Sequence, residues 1–267
     1  MRPEIRDTPS LEVTVLVSVG RHPLTGRGRR ADQDARGVEL ARGLPEAEVQ
    51  LLHAGTLNEG SETALRGYLG MGFDALTLLE QPEGADILPA LAETLDEASP
   101  QLVITGECAE RGEGSGLLPY LLAERLGWPT VSGVVAVEGI AAGVATLLQA
   151  LPRGQRRRLE VRLPAIVSVD GAAPAPRQSA YGPARRGQLA FVPGAVSLDD
   201  DWAGWQVQRA RKRPKRLKIV KAASARDRFK AAAAKAEGGG GQVLEDVTPE
   251  QGAAAIFKLL KDEGVLR

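Results

Sequence analysis

Residues 102–125 read LVITGECAERGEGSGLLPYLLAER, and this stretch decides the fold class. Its opening residues, Leu102–Thr105, are apolar or β-branched and predict a buried strand. The run Gly106–Gly116 follows with four glycines, which free the backbone for a tight loop. Apolar residues then recur at helical spacing, with Pro119 near the start of the helix and Gly127 after its end. A strand, a glycine-rich loop and a helix in this order are typical of an α/β protein.

The same alternation of strand and helix recurs upstream. Buried strands are predicted at Val13–Val19, Val49–Leu52 and Ala75–Leu79. The helices between them are predicted over Asp34–Leu44, after Ser61 as a cap, and over the apolar positions Leu88, Leu91, Ala92 and Leu95. This spacing predicts a doubly wound parallel sheet with helices on both faces. The fold class is therefore α/β, with a Rossmann-like doubly wound sheet.

Downstream, the pattern predicts an antiparallel meander joined to that sheet. Strands are predicted at Val131–Val137, Ile140–Leu148 and Arg156–Arg162, with turns at Glu138-Gly139 and Pro152–Gly154. A further core strand is predicted at Ala165–Val169. Residues 171–187 have no period and predict a long loop, which in a compact protein is usually functional or disordered.

The last part of the chain predicts an extended arm. Residues 203–247 are polar and basic, and the run Arg209–Lys221 indicates a solvated linker or a contact for an acidic partner. A capping box at Thr248–Gln251 then starts a helix with an apolar stripe. Because an isolated helix of this length is marginal in water, we expect the stripe to dock on another surface. We predict an α/β domain over residues 1–200 and a C-terminal arm over 201–267.

Composition excludes several classes of protein. Lysine plus arginine equals aspartate plus glutamate, at 34 each, and this balance does not favour a nucleic-acid binder. The single cysteine, Cys108, excludes an intrachain disulfide and fits a reducing compartment. No apolar run approaches the ~20 residues of a membrane span, and the N-terminus lacks the apolar region of a secretory signal. We therefore expect a cytoplasmic protein that does not insert into a membrane directly.

The candidate binding site lies where the parallel strands end. In open parallel sheets, ligands sit beyond the carboxyl ends of the strands. Ser18-Val19, Ala54–Thr56 and the loop Gly106–Gly116 should therefore line one crevice. Glycine-rich backbone at a helix N-terminus favours an anion. The motif is neither a Walker A nor a clean GxGxxG sequence, so a glycine-rich turn without a ligand is the alternative.

Catalytic groups are few. His22 and His53 lie at predicted strand ends, and we interpret them as loop histidines at the edge of the crevice. Cys108 lies in the glycine-rich loop, and no base partner for a nucleophile is evident. We predict no catalytic residue and no metal site.

Several motifs, in order along nearly the whole chain, resemble the beta subunits of electron transfer flavoproteins. They are Ala64–Arg66 with Leu69–Asp74, Leu102–Gly106 with Leu126–Pro129, Leu163–Asp170 with Pro176-Arg177, and Ala255–Leu266. The resemblance implies a fold of the adenine-nucleotide α-hydrolase-like type and an alpha subunit that holds most of a redox-active FAD. It also implies AMP, or a second FAD, in the beta subunit. The residues implied to hold this nucleotide are Ser18, Val19, Asp34, Ala54, Gly55, Thr56, Gly106, Glu107, Cys108, Gly112, Gly114, Ser115 and Gly116.

The resemblance also implies the partners. The loop after Pro176 corresponds to the family's recognition loop, with Arg177, Tyr181, Arg185 and Arg186 facing a flavin-dependent dehydrogenase. Electrons would pass from that dehydrogenase through the FAD of the heterodimer to a quinone oxidoreductase. This chain would then be an electron carrier subunit and not an enzyme. Two alternatives from the residues are a stand-alone adenine-nucleotide-binding protein and a hydrolase of the same fold.

Overall fold

The computed structural model describes residues 10–112, 114–198, 204–206, 208, 224–226 and 244–262. The chain divides into two compact units, Met1–Trp205 and Gln206–Arg267. The proposed boundary between residues 200 and 201 stays a prediction. The basic run Arg209–Lys221 lies outside the described residues.

A nine-stranded sheet forms the centre of the first unit. Its strands are β1 Leu11–Leu16, β4 Ala47–Gly55, β5 Ala75–Glu80, β7 Leu102–Gly106, β8 Thr130–Ala141, β9 Val144–Ala150, β10 Arg156–Arg162, β11 Ala165–Val169 and β12 Gln188–Val192. They lie side by side in the order β10-β9-β8-β11-β7-β1-β4-β5-β12. The seven strands β8-β11-β7-β1-β4-β5-β12 are parallel, and β9 and β10 extend the sheet beyond β8 with antiparallel pairing. The predicted parallel sheet and meander are confirmed.

Helices cover both faces of the sheet, as doubly wound topology requires. One buried cluster joins β1, β4 and β7 to α1 (Asp32–Arg42) and α2 (Glu59–Leu69). A second cluster joins the opposite face of the same strands to α3 (Leu88–Ala98) and α4 (Leu118–Leu126). Neighbouring residues alternate between the clusters, because successive side chains of a strand point to opposite faces. The apolar continuity of these strands in the sequence is a consequence of that double coverage.

Two short pairs of strands lie outside the main sheet. The strand predicted over Val13–Val19 is interrupted: β1 ends at Leu16, and a hairpin of β2 (Val19–Arg21) and β3 (Gly28–Arg30) precedes α1. The second pair is β6 (Ala85–Asp86) with β13 (Ser197–Leu198).

Three local predictions are wrong. Asn58 caps α2, and Ser61 is the reciprocal third residue of that capping box. The first turn of the meander is at Ala142-Gly143, where both φ angles are positive, as a two-residue hairpin turn demands. Glu138-Gly139 instead lies inside β8, beside a register shift. Finally, residues 171–187 are not all loop, since Tyr181–Arg186 forms the short helix α5.

In the second unit, the helix α6 spans Pro249–Asp262. Thr248 and Gln251 form the predicted capping box, with Thr248 N–H donating to Oε1 of Gln251 at 3.0 Å. The apolar side chains Ile256, Phe257 and Leu259 are all more than half exposed. The predicted helix end at Gly264 lies outside the described residues. No helix within the described part of the chain is both long and apolar enough to cross a membrane.

Candidate functional site

The carboxyl ends of β7, β1 and β4 lie side by side, and the Asp34 side chain is hydrogen-bonded to the ends of β7 and β1. Its Oδ2 accepts hydrogen bonds from the backbone N–H of Ser18 at 2.7 Å and from the Ser18 hydroxyl at 2.5 Å. Its Oδ1 accepts from the N–H of Gly106 at 3.1 Å. Burial raises the pKa of Asp34, and the bonds from Ser18 and Gly106 oppose that rise. Asp34 therefore positions the ends of β1 and β7 against the start of α1.

Tyr68 extends this buried network from α2. Its hydroxyl donates to the carbonyl of Ser18 and accepts from the N–H of Ala31, both at 2.8 Å. Burial raises its pKa well above the ordinary value of 10.0, so the neutral phenol is held in place. Asp34 and Tyr68 therefore both hold the turn that follows β1.

The glycine-rich loop is fastened to the first turn of α1. The side-chain oxygen of Gln33 accepts from the N–H groups of Glu107 at 3.1 Å and Cys108 at 3.4 Å. Its amide nitrogen donates to the carboxylate of Glu107 at 3.3 Å. Burial, followed by the nearby charge of Asp170, raises the pKa of Glu107. Gln33 therefore holds the first part of the loop, Glu107 and Cys108, against α1.

Glu110 makes a second attachment, which the sequence analysis missed. Its carboxylate accepts from the N–H of Arg21 at 2.9 Å, the N–H of Asp32 at 2.9 Å and the guanidinium of Arg29 at 3.0 Å. The N–H of Asp32 belongs to the first turn of α1, where a negative charge is favoured. The sequence shows an acidic residue within the loop, but its hydrogen-bond partners are distant along the chain and can be identified only from the folded structure.

The second part of the loop presents backbone donors. Gly112, Gly114 and Gly116 have φ angles of 76°, 61° and 77°, which glycine adopts without strain. In the part of the chain that the structure describes, the N–H groups of these glycines and of Ser115 have no hydrogen-bond acceptor. The loop leads into α4, whose first residue is Leu118. This arrangement of backbone N–H groups before a helix is suited to an anion.

The other residues predicted to line the crevice, Ala54–Thr56, lie at the end of β4, which neighbours β1 in the sheet. Ala54 and Gly55 are half-buried and Thr56 is exposed. Gly55 packs so closely on the ring of His53 that a Cβ would lie 3.0 Å from Nε2. Thr56 Oγ1 donates to the carbonyl of Gln81 at 2.9 Å. The Gln81 side chain is itself buried, and its Oε1 has no hydrogen-bond partner in the described structure.

The candidate acid–base groups have structural contacts. His53 is buried and its Nδ1 lies 2.8 Å from the carbonyl of Val17; burial lowers its pKa. Nδ1 of His22 accepts from the N–H groups of Leu24 and Thr25, closing a turn. Cys108 is an exposed free thiol. Among the described residues, no cluster of His, Cys, Asp and Glu could hold a metal ion.

The predicted recognition segment divides into an anchored and an exposed part. Arg177 forms a two-pronged ion pair with Glu39, at 2.7 and 2.8 Å, and holds the segment to α1. This pairing lowers the pKa of Glu39. Tyr181 in contrast is 77% exposed, and Arg185 and Arg186 are exposed on the same helix. The part that can meet another protein is therefore α5.

The fold and the site together define a doubly wound α/β protein with a glycine-rich loop at the carboxyl edge of its sheet. A family model for the electron transfer flavoprotein domain matches residues 25–197. The chain is 78% identical, over all 267 residues and the full length of both chains, to electron transfer flavoprotein subunit beta of Chromohalobacter salexigens. It therefore belongs to the electron transfer flavoprotein family, as a beta subunit: an electron carrier and not an enzyme.

More distant relatives match part of the chain. The electron transfer flavoprotein subunit beta of Syntrophomonas wolfei is 36% identical over 135 residues, which cover 46% of this chain and 52% of the relative. A putative electron transfer flavoprotein subunit, YgcR of Escherichia coli K12, is 35% identical over 121 residues, or 42% and 46% of the two chains. Membership of the family implies an alpha subunit partner and association with a flavin.

Proposed function

We propose that this beta subunit, in a cytoplasmic heterodimer with its alpha subunit, passes electrons from a flavin-dependent dehydrogenase to a quinone oxidoreductase. The FAD, held mostly by the alpha subunit, would supply the redox chemistry. The beta chain would supply a nucleotide-stabilised body over residues 1–200, the docking helix α5 and the C-terminal arm. The observation that carries the proposal is that the N–H groups of Gly112, Gly114, Ser115 and Gly116 have no acceptor among the described residues.

The residues present fit an adenine mononucleotide such as AMP. The backbone N–H groups of the loop match a phosphate, and Glu107 and Glu110, which would repel it, are engaged with α1 and the β2–β3 hairpin. The small residues Ala54 and Gly55 leave room beside β4. The unpartnered Oε1 of Gln81 is an acceptor of the kind that a purine amino group requires. Asp34 and Cys108 belong to the supporting network, and we assign AMP a structural role.

Co-expression with the alpha subunit tests the proposal. A purified heterodimer should show a flavin spectrum, and acid extraction should release AMP in about equal amount with the beta chain. A heterodimer without a flavin band would contradict the carrier function. Extraction of a second FAD in place of AMP would keep the carrier function and reassign the nucleotide.

Tyr181→Ala tests the docking role of α5. The substitution should slow reduction of the heterodimer by its dehydrogenase about tenfold or more, because an exposed aromatic anchor often dominates an interface. Flavin content should not change. Tyr120→Ala, at a tyrosine exposed on α4, is the matched control and should leave the rate unaltered. An unchanged rate for Tyr181→Ala would remove α5 from the docking surface.

A further inference from the structure

The Glu110 carboxylate is held by donors from three different elements, which together form the Glu110 cradle. Its Oε2 accepts from the N–H of Arg21 in β2 at 2.9 Å, and its Oε1 accepts from the N–H of Asp32 in α1 at 2.9 Å. The guanidinium of Arg29 in β3 donates to the same Oε1 at 3.0 Å. Backbone N–H groups, a helix N-terminus and a guanidinium are the donors that proteins also offer to a phosphate. The cradle therefore has the chemistry of an anion site, and the protein's own carboxylate fills it.

The cradle is closed tightly around this carboxylate. A Cβ added to Gly20 would lie 2.8 Å from Oε2 of Glu110 and 2.7 Å from the Cα of Ala31. The Glu110 side chain is only 26% exposed. Because Glu110 belongs to the same chain as its donors, its carboxylate is present at a high effective concentration. An external anion would therefore have to displace a group that is already bound there.

The cradle lies next to the part of the loop that carries the free N–H groups. These groups begin at Gly112, whose Cα is at most about 7 Å from that of Glu110, because the two residues are two positions apart. Gly116 folds back over the base of the loop, since a Cβ added to it would lie 2.7 Å from the carbonyl oxygen of Glu107 and 3.4 Å from the Cβ of Cys108. Both ends of the row of N–H groups thus lie near the first turn of α1. A second phosphate joined to a phosphate bound there would need donors in the same neighbourhood.

A second phosphate would find few donors left beside the loop. The run Gly106–Gly116 contains three glutamates against one arginine, so its own charge is negative. The guanidinium of Arg29 is already paired with Glu110. The backbone N–H groups can satisfy one phosphate, but the charge of a second would be left unpaired next to a carboxylate. Unpaired and like charges are the means by which proteins reject a competing ligand.

We propose that Glu110 makes the crevice selective for a nucleoside monophosphate. Its carboxylate takes the donors that a second phosphate would require. Nucleoside diphosphates, triphosphates and dinucleotides such as FAD are therefore disfavoured against AMP. The inference rests on the nucleotide site of the proposed function, to which it adds the residue that sets the number of phosphates.

Glu110→Ala tests this selectivity. Isothermal titration calorimetry measures the binding of AMP and of ADP to the heterodimer after its own nucleotide has been removed. The wild type should bind AMP about tenfold or more tightly than ADP, because like charges and missing donors oppose the second phosphate. In Glu110→Ala this ratio of affinities should fall to about one, because the vacated donors can accept the second phosphate.

Two further variants separate the charge of Glu110 from its structural role. Glu110→Gln keeps the shape and an acceptor oxygen but removes the charge, and it should lower the ratio about threefold. Glu62→Ala is the matched control, since Glu62 is also ion-paired with an arginine, Arg66, at 2.7 Å but belongs to α2 and not to the loop. Its ratio should equal that of the wild type.

Acid extraction after co-expression gives a readout that does not depend on titration. The wild-type heterodimer should release AMP and a single FAD, whereas Glu110→Ala should release ADP or additional FAD in place of AMP. An unchanged ratio in both Glu110 variants would overturn the proposal. So would an equal loss of affinity for both nucleotides, since Glu110 would then only support the loop.

The wild type distinguishes a failure of this inference from a failure of the proposed function. Equal affinity for AMP and ADP, or extraction of a second FAD, would overturn the selectivity and leave the carrier function intact. A wild-type heterodimer that binds neither nucleotide would contradict the nucleotide site itself, and the inference would fall with it.

Discussion

The two outer edges of the sheet are built from opposite chemistry. At one end, β10 carries Arg156, Arg157, Arg158 and Arg162 among its seven residues, all exposed. At the other end, β12 exposes Phe191 and Val192. Neither edge strand pairs on its outer side with another described strand, but charged side chains oppose the addition of a strand, whereas apolar ones favour it. The contrast indicates that the charged edge is protected against strand addition by its side chains, whereas the apolar edge is not.

Replacing Arg156, Arg157 and Arg158 together by valine should produce the largest effect, since β10 would then resemble β12. The isolated chain should self-associate at concentrations about a hundredfold lower than the wild type does, through the new apolar edge. Size-exclusion chromatography with light scattering measures this. The triple lysine variant preserves the charge and should behave as the wild type. A valine variant that stays monomeric at the same concentrations would show that charge is not what protects β10.

Arg66→Met should have the second largest effect, because it removes the guanidinium that donates to the carbonyls of Ala184, Arg185 and Gly187 and so fastens α5 to α2. The free energy of unfolding should fall by about 2 kcal/mol, from the loss of hydrogen bonds to partly buried carbonyls. Hydrogen exchange should accelerate in residues 188–192. Arg158→Met is the matched control on the protected edge: its ion pair with Glu138 is exposed, so stability should hardly change. Equal losses for the two variants would contradict this difference between the edges.

Acidification should have a smaller effect that concerns neither edge, because His53 lies on the interior strand β4. Burial lowers its pKa below the ordinary 6.5. The unfolded chain therefore binds a proton first as the pH falls, and stability that is present above pH 6.5 is lost below it. The decrease is at most about 1.4 kcal/mol per pH unit. Urea unfolding between pH 7.5 and 5 measures it, and His53→Gln should lose this part of the slope.

The sequence predicts the centre of the molecule better than its edges. Strands covered on both faces, such as Leu102–Gly106, are visible in the sequence as apolar runs. Because these strands are parallel, Ser18, Gly55 and Gly106 are predicted to lie together at their carboxyl ends. The strand β12 was missed because its residues are mostly exposed and follow an aperiodic segment. Gln33 and Glu110 were missed because their partners are far away in the chain. Such contacts depend on tertiary geometry, which local patterns do not encode.

The attachment of Glu110 has a consequence for the kinetics of ligand capture. A loop with glycines at positions 112, 114 and 116 would lose considerable conformational entropy if it became ordered only around a ligand. The Glu110 carboxylate, with its three donors, holds the base of that loop in the folded chain. A phosphate bound there as we propose would therefore meet a loop whose base is ordered before binding. Association should then be limited by diffusion and desolvation more than by rearrangement of the backbone.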